Sequence, residues 1–170
     1  MRISQATREI TLAFAATCLA VLGFAAAPAS AADEDSYEWS ASLVSVDESA
    51  GSAVFEALVE SYARIPFDTL DPGDRLTLVW TGRMWAAGVR DLASNPNVED
   101  KALTLPVEYV GTTHEDRYVQ FRIAIPREYM ADLAAMDPGV RVTVVSPRTA
   151  RDWNDGVLSL RNYNDPANNS

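Results

Sequence analysis

The chain has one histidine, His114, in the run Thr113-His114-Glu115-Asp116. An imidazole beside carboxylates is the arrangement of a general base oriented by an acid, because histidine titrates near neutral pH. Here the run falls at a predicted hairpin tip, which offers no concave pocket, so a solvated loop is expected. Nucleophilic catalysis lacks its parts: no Gly-x-Ser-x-Gly elbow occurs, and Cys18, the one cysteine, lies in an N-terminal apolar stretch. The glycines are isolated and no Gly-Lys-Ser occurs, so no phosphate loop is expected. Without a second histidine or cysteine nearby, zinc is not expected either. Oxygen ligands for calcium cluster twice, as Asn95, Asn97, Glu99 and Asp100 and as Asp152, Asn154 and Asp155. Neither stretch follows an EF-hand loop, and both are expected to be turns, leaving no metal and no cofactor in the reading.

Aromatic side chains are the remaining source of recognition chemistry, since exposed rings stack on sugars or partner proteins. Tyr37, Trp39, Tyr62 and Trp80 are the candidate ligand-binding residues, although their spacing does not require them to converge. Trp85 and Trp153 stand at matching positions of an internal repeat described below and are expected to share a packing role.

The N-terminus orders Arg2 and Arg8, an apolar stretch from Ile10 to Ala27, and Pro28-Ala29-Ser30-Ala31. Charge, apolar run and small residues in that order are the layout of a secretory signal, with cleavage expected after Ala31. Ala15-Ala16-Thr17 before Cys18 is a poor lipobox, so lipid attachment there is not expected. Residues 32–170 then form a single domain without cysteine and with no second apolar stretch long enough to span a bilayer. The expected location is the periplasm or the extracellular space, with no transmembrane anchor left after cleavage. The whole chain carries a net charge of −10, and losing Arg2, Arg8 and Glu9 makes it more negative still. A polyanion repels nucleic acid, which excludes it as a partner; an envelope protein or a glycan is expected instead.

The candidate residues sit on a duplicated framework. Phe55 to Val79 matches Phe121 to Val145 without a gap at an offset of 66 residues. Phe55 answers Phe121, Asp71-Pro72-Gly73 answers Asp137-Pro138-Gly139, and Arg75, Thr77 and Val79 answer Arg141, Thr143 and Val145. Apolar character is kept between them, as in Val59 with Ile125, Phe67 with Leu133 and Leu78 with Val144. After a two-residue shift, Trp85, Gly88, Val89 and Leu92 answer Trp153, Gly156, Val157 and Leu160. The half-repeats run over about residues 37–93 and 102–163.

Each half reads as a β-hairpin, a short helical segment and two further strands. The first hairpin joins Ser42–Val46 to Ala53–Val59 and the second joins Val107–Thr112 to Tyr118–Ile125. Tyr129, Met130, Leu133 and Met136 recur at helical spacing after Pro126, while Pro66 to Leu70 has room for a single turn. Asp-Pro-Gly ends each segment, since proline cannot continue a helix and glycine accepts the positive φ of a tight turn. Strands follow at Arg75–Trp80 and Arg141–Val145, and fourth strands are expected to begin at Gly88-Val89 and Gly156-Val157. Two such halves must bury their apolar faces against each other, which predicts a mainly β fold closed as one pseudo-twofold barrel.

Arg122-Ile123-Ala124-Ile125-Pro126, a helix, and Asp137-Pro138-Gly139-Val140-Arg141-Val142 resemble the strand, helix, "GD box", strand unit of the cradle-loop barrels. The first half supplies the fuller box, Pro72-Gly73-Asp74-Arg75-Leu76, whereas Val140 replaces the aspartate in the second. The resemblance covers about 25 residues of each half and implies a fold. DNA-binding members need clustered cations, which this chain lacks. Members acting on cell-wall glycans or polysaccharides imply a rival reading as an enzyme with a carboxylate acid, for which Asp74 is the candidate. The family's aspartate usually orients the turn. The sequence therefore points to an exported, non-catalytic binding or structural module, with partner contact through an edge strand or the polar tail after Tyr163 as a further route.

Overall fold

The computed structural model describes residues 35–63, 65–82, 88–96, 98 and 102–163. The expected signal, Trp85, Asn97, Glu99, Asp100 and the tail 164–170 lie outside them. The described residues form eight strands and one α-helix: β1 (Ser36–Asp47), β2 (Ser52–Leu58), β3 (Arg75–Thr81), β4 (Gly88–Ala93), β5 (Leu103–Thr113), β6 (Tyr118–Ala124), α1 (Arg127–Ala134), β7 (Arg141–Pro147) and β8 (Ser159–Asn162). All eight pair antiparallel in one sheet of order β4-β3-β5-β6-β2-β1-β7-β8. The order is a palindrome about the β2–β6 pair once β1 to β4 are matched to β5 to β8.

The registers obey the 66-residue offset. Phe55 faces Phe121 at the centre, and the ladder runs outward symmetrically from Ser52 opposite Ala124 to Leu58 opposite Tyr118. Ser42 pairs with Arg141 on one side as Glu108 pairs with Arg75 on the other. Even the irregularities repeat: β1 skips Val44 against β2, and β5 skips Val110 against β6. These bulges let β1 and β5 bend and serve two ladders each. The first part of each strand pairs with a strand of the other half, β1 with β7 and β5 with β3. Each half thus lends its third strand to the other, and neither half completes a sheet alone.

The alternation of apolar residues puts Trp39, Ala41 and Leu43 of β1, Phe55 and Ala57 of β2, Leu78 and Trp80 of β3, and Phe121 and Ile123 of β6 in one buried cluster. β1 and β3 lie four ladder steps apart in the sheet order, a separation of roughly 19 Å if flat. Yet the Trp39 and Trp80 ring centroids are 5.4 Å apart. The sheet is therefore strongly coiled around its own apolar face. It is not closed into a barrel: β4 and β8 are its edges, and an isolated parallel bridge, Val59 to Val89, marks where β4 approaches the end of β2.

Two local expectations change. β8 starts at Ser159 and not at Gly156-Val157, because Trp153–Asp155 forms a 3₁₀ turn and Gly156 is pressed into the core. A Cβ on Gly156 would lie 2.7 Å from Leu105 Cδ1, and one on the matching Gly88 would lie 2.8 Å from the Leu58 carbonyl oxygen. Trp153 is half-buried and absent from the core; the Arg75 guanidinium stands over its ring at 5.4 Å.

Candidate functional site

The segments joining β2 to β3 and β6 to β7 begin from equivalent strand ends. After β6, Pro126 fixes the backbone before α1, and Met130 and Leu133 are buried against the sheet. After β2, Pro66 occupies the position that Asp132 holds inside α1. A proline there removes a backbone donor and disfavours helical Ile65 before it, so only a 3₁₀ turn, Phe67–Thr69, survives. Where a helix seals the second half, the first half keeps an open groove of about 820 Å³.

Leu58, Val59, Tyr62, Ile65 and Phe67 supply the apolar lining of this groove, and Glu60, Asp116 and Arg117 the charged part. Tyr62 is 91% exposed and Leu58 41%. Beneath the groove Phe67 stacks on Tyr109 at 6.3 Å between centroids, and burial pushes the Tyr109 phenol above its usual pKa. Glu60 accepts a hydrogen bond from the Thr81 hydroxyl, which ties the groove to the end of β3. The opposite wall is the tip of the β5–β6 hairpin. His114, Glu115 and Asp116 there hold φ of 52°, 57° and 63°. Three successive non-glycine residues in the left-handed region store strain of about 1–2 kcal/mol each. Asp116 Oδ1 accepts from Thr112 Oγ1 at 2.5 Å, and the Arg117 carbonyl accepts from the Val59 N–H at 2.9 Å, so the strained tip is anchored to the groove floor.

The four aromatic candidates separate. Tyr62 lines the groove. Tyr37 is half-buried, donates its hydroxyl hydrogen to the Gly82 carbonyl, and has the Arg148 guanidinium 5.8 Å from its ring. Trp39 and Trp80 are each 2% exposed, so neither ring reaches a ligand at the surface. Trp39 Nε1 donates to Ser146 Oγ at 2.8 Å, deep in the core. Their placement follows from strand parity: both lie on the inward face with Leu43, Phe55 and Leu78, a period-two pattern already visible in the sequence.

Asp74 is half-buried in its own turn. Its Oδ2 accepts the Asp71 N–H at 3.0 Å, its N–H donates to the Asp71 carbonyl at 3.0 Å, and its carbonyl accepts from Tyr109 N–H at 2.8 Å. In the second half Val140 keeps the backbone part of this pattern, donating to Asp137 and accepting from Leu43. His114 is exposed, with Tyr118 edge-on at 5.5 Å. Asp152, Asn154 and Asp155 border a shallower depression, and among the described residues no three His, Cys, Asp or Glu side chains gather as metal ligands. Also among the described residues, no helix is long and apolar enough to cross a membrane. The groove was not legible as a site, because its signal was one proline at a repeat position whose counterpart, Asp132, lies inside a helix. The chain matches no family model, no curated protein and no solved structure.

Proposed function

We propose that the protein is an exported, non-catalytic binding module of the cell envelope or extracellular space, and that it binds through the groove between Leu58 and Phe67. One observation carries this reading. The two halves share strand register, yet α1 seals one while the other leaves Tyr62 and Leu58 in solvent beside a strained hairpin tip. Exposed apolar groups gathered in a concave surface are a common mark of a contact site. The charge, apolar and small-residue order of residues 1–31 supports export, and the acidic composition supports a partner other than nucleic acid. The curled sheet and symmetric registers favour a duplicated pseudo-twofold barrel as the parent architecture. As for the rival enzyme, the Asp74 carboxylate is engaged by the backbone of its own turn, which favours a structural role.

The test is site-specific photocrosslinking in cells, with the photoreactive residue at position 62 and, as a control, at position 163. Adducts formed only from position 62 are expected. Equal adducts from both, or adducts from 163 alone, would remove the groove from the reading.

A further inference from the structure

We infer that the groove receives a short, amphipathic and positively charged peptide segment of a partner protein, which presents two apolar side chains one helical turn apart. The inference rests on the binding reading above and names the chemistry of the partner. The chain itself supplies the template. Between β6 and β7 the fold places an amphipathic helix whose Met130 and Leu133, three residues apart, are buried against the sheet with Ile125. Between β2 and β3, Val59 and Phe67 answer Ile125 and Leu133 but are only partly buried, Arg64 stands in the chain where Met130 does, and Pro66 prevents the same helix. A helical segment from outside would bury the surface that the chain leaves open, as amphipathic helices do in apolar grooves.

Charge selects among such segments. Among the described residues, Glu60 and Asp116 line the groove, Glu115 is exposed beside it, and Arg117 is the one cation in the lining; Arg64, between Ala63 and Ile65 in the chain, lies outside them. With a net charge of −10 on the whole chain, a cationic segment is steered in and an acidic one repelled.

The experiment measures fluorescence anisotropy of the purified protein with a dye-labelled synthetic helix of about 12 residues, three turns long. The probe carries leucine and methionine at i and i+3 among lysines and alanines; a second peptide replaces the lysines with glutamates. The lysine peptide is expected to bind at least about tenfold more tightly than the glutamate peptide, and less tightly as salt rises. Leu58→Thr and Tyr62→Ser, both at exposed positions, are each expected to weaken it at least about tenfold with unchanged melting. Equal binding of the two peptides, or binding indifferent to Leu58→Thr, would overturn the proposal. If the position-62 crosslink captures a glycan, the peptide class falls while the binding reading survives. If neither peptide binds and position 62 captures nothing, both fall.

Discussion

The connections after β2 and after β6 start from symmetry-related strand ends and finish at the same Asp-Pro-Gly turn, but only the second is a helix. Nothing in the sheet demands this difference, since the flanking registers are identical under the offset of 66. One proline at position 66, where Asp132 stands in α1, is enough to explain it. Duplicated halves therefore separate their duties. The shared strands hold the body together, and the connection free of that obligation sets which end is sealed and which is open.

The two hairpin tips differ in a similar way. Glu48 to Gly51 and His114 to Arg117 are equally long, but the first confines positive φ to Gly51 and the second imposes it on three side-chain-bearing residues. At the first tip the Asp47 carboxylate accepts from Ser49 Oγ at 2.7 Å and from the Ala50 N–H at 3.0 Å. These bonds, that from the Ser49 hydroxyl foremost, hold its pKa below the usual carboxylate value. The relaxed tip is capped by its own side chain, whereas the strained one faces the groove.

The comparison makes graded predictions. The largest effect belongs to what the halves share: Phe55→Ala and Phe121→Ala should each lose about 3–5 kcal/mol by urea unfolding. Because their rings lie 6.5 Å apart, the double variant should lose less than the two single losses combined. Unequal single losses would show that the symmetry of register is not a symmetry of energy.

Asp132→Pro imposes on α1 the residue that breaks its counterpart, and should cost about 3 kcal/mol or more with loss of helical circular dichroism. Retained helicity would mean that something other than Pro66 keeps the first connection open. Ser146→Ala tests an asymmetry inside the core. Ser146 stands where the first half has Trp80, and it both accepts from Trp39 Nε1 and donates to the Gly156 carbonyl. Removing its hydroxyl leaves a buried indole N–H unpaired and should cost about 1–3 kcal/mol.

Glu115→Gly should stabilise the protein by up to about 1 kcal/mol, because glycine relieves the left-handed strain but loses more entropy on folding. A destabilised variant would show that the tip is held by its side chain. The smallest effect is at Asp47. Since folding lowers its pKa, its contribution is present above the unfolded value and fades as pH falls through the folded one. An Asp47→Asn variant should lose that acid-range dependence, and NMR titration of the carboxyl should report a depressed pKa.

Much of the framework could be read from the residues. The matched apolar positions and the two Asp-Pro-Gly turns fixed the offset, and with it the two hairpins, the full helix after Pro126 and the single turn after Pro66. Hydrophobic alternation and turn chemistry are local, so a single chain displays them. Trp39 and Trp80 stood among the candidates for ligand contact because aromatic type alone does not give a direction. Their strand parity did, and it puts them inward with Phe55. Of the residues lining the groove, only Tyr62 stands among the four aromatic candidates.

What the sequence determined by itself, then, was the repeated unit: the strand-forming stretches, where each half turns, and that one half has a helix after Pro126 where the other has room for a single turn from Pro66 to Leu70. Only the tertiary structure decided that each half lends its third strand to the other, that the sheet coils without closing, and that Asp116 and Arg117 of one half wall a groove floored by the other. Pairing across residues far apart in the chain is chosen by complementary faces and bulge positions acting together. No local pattern records which distant strand will meet which.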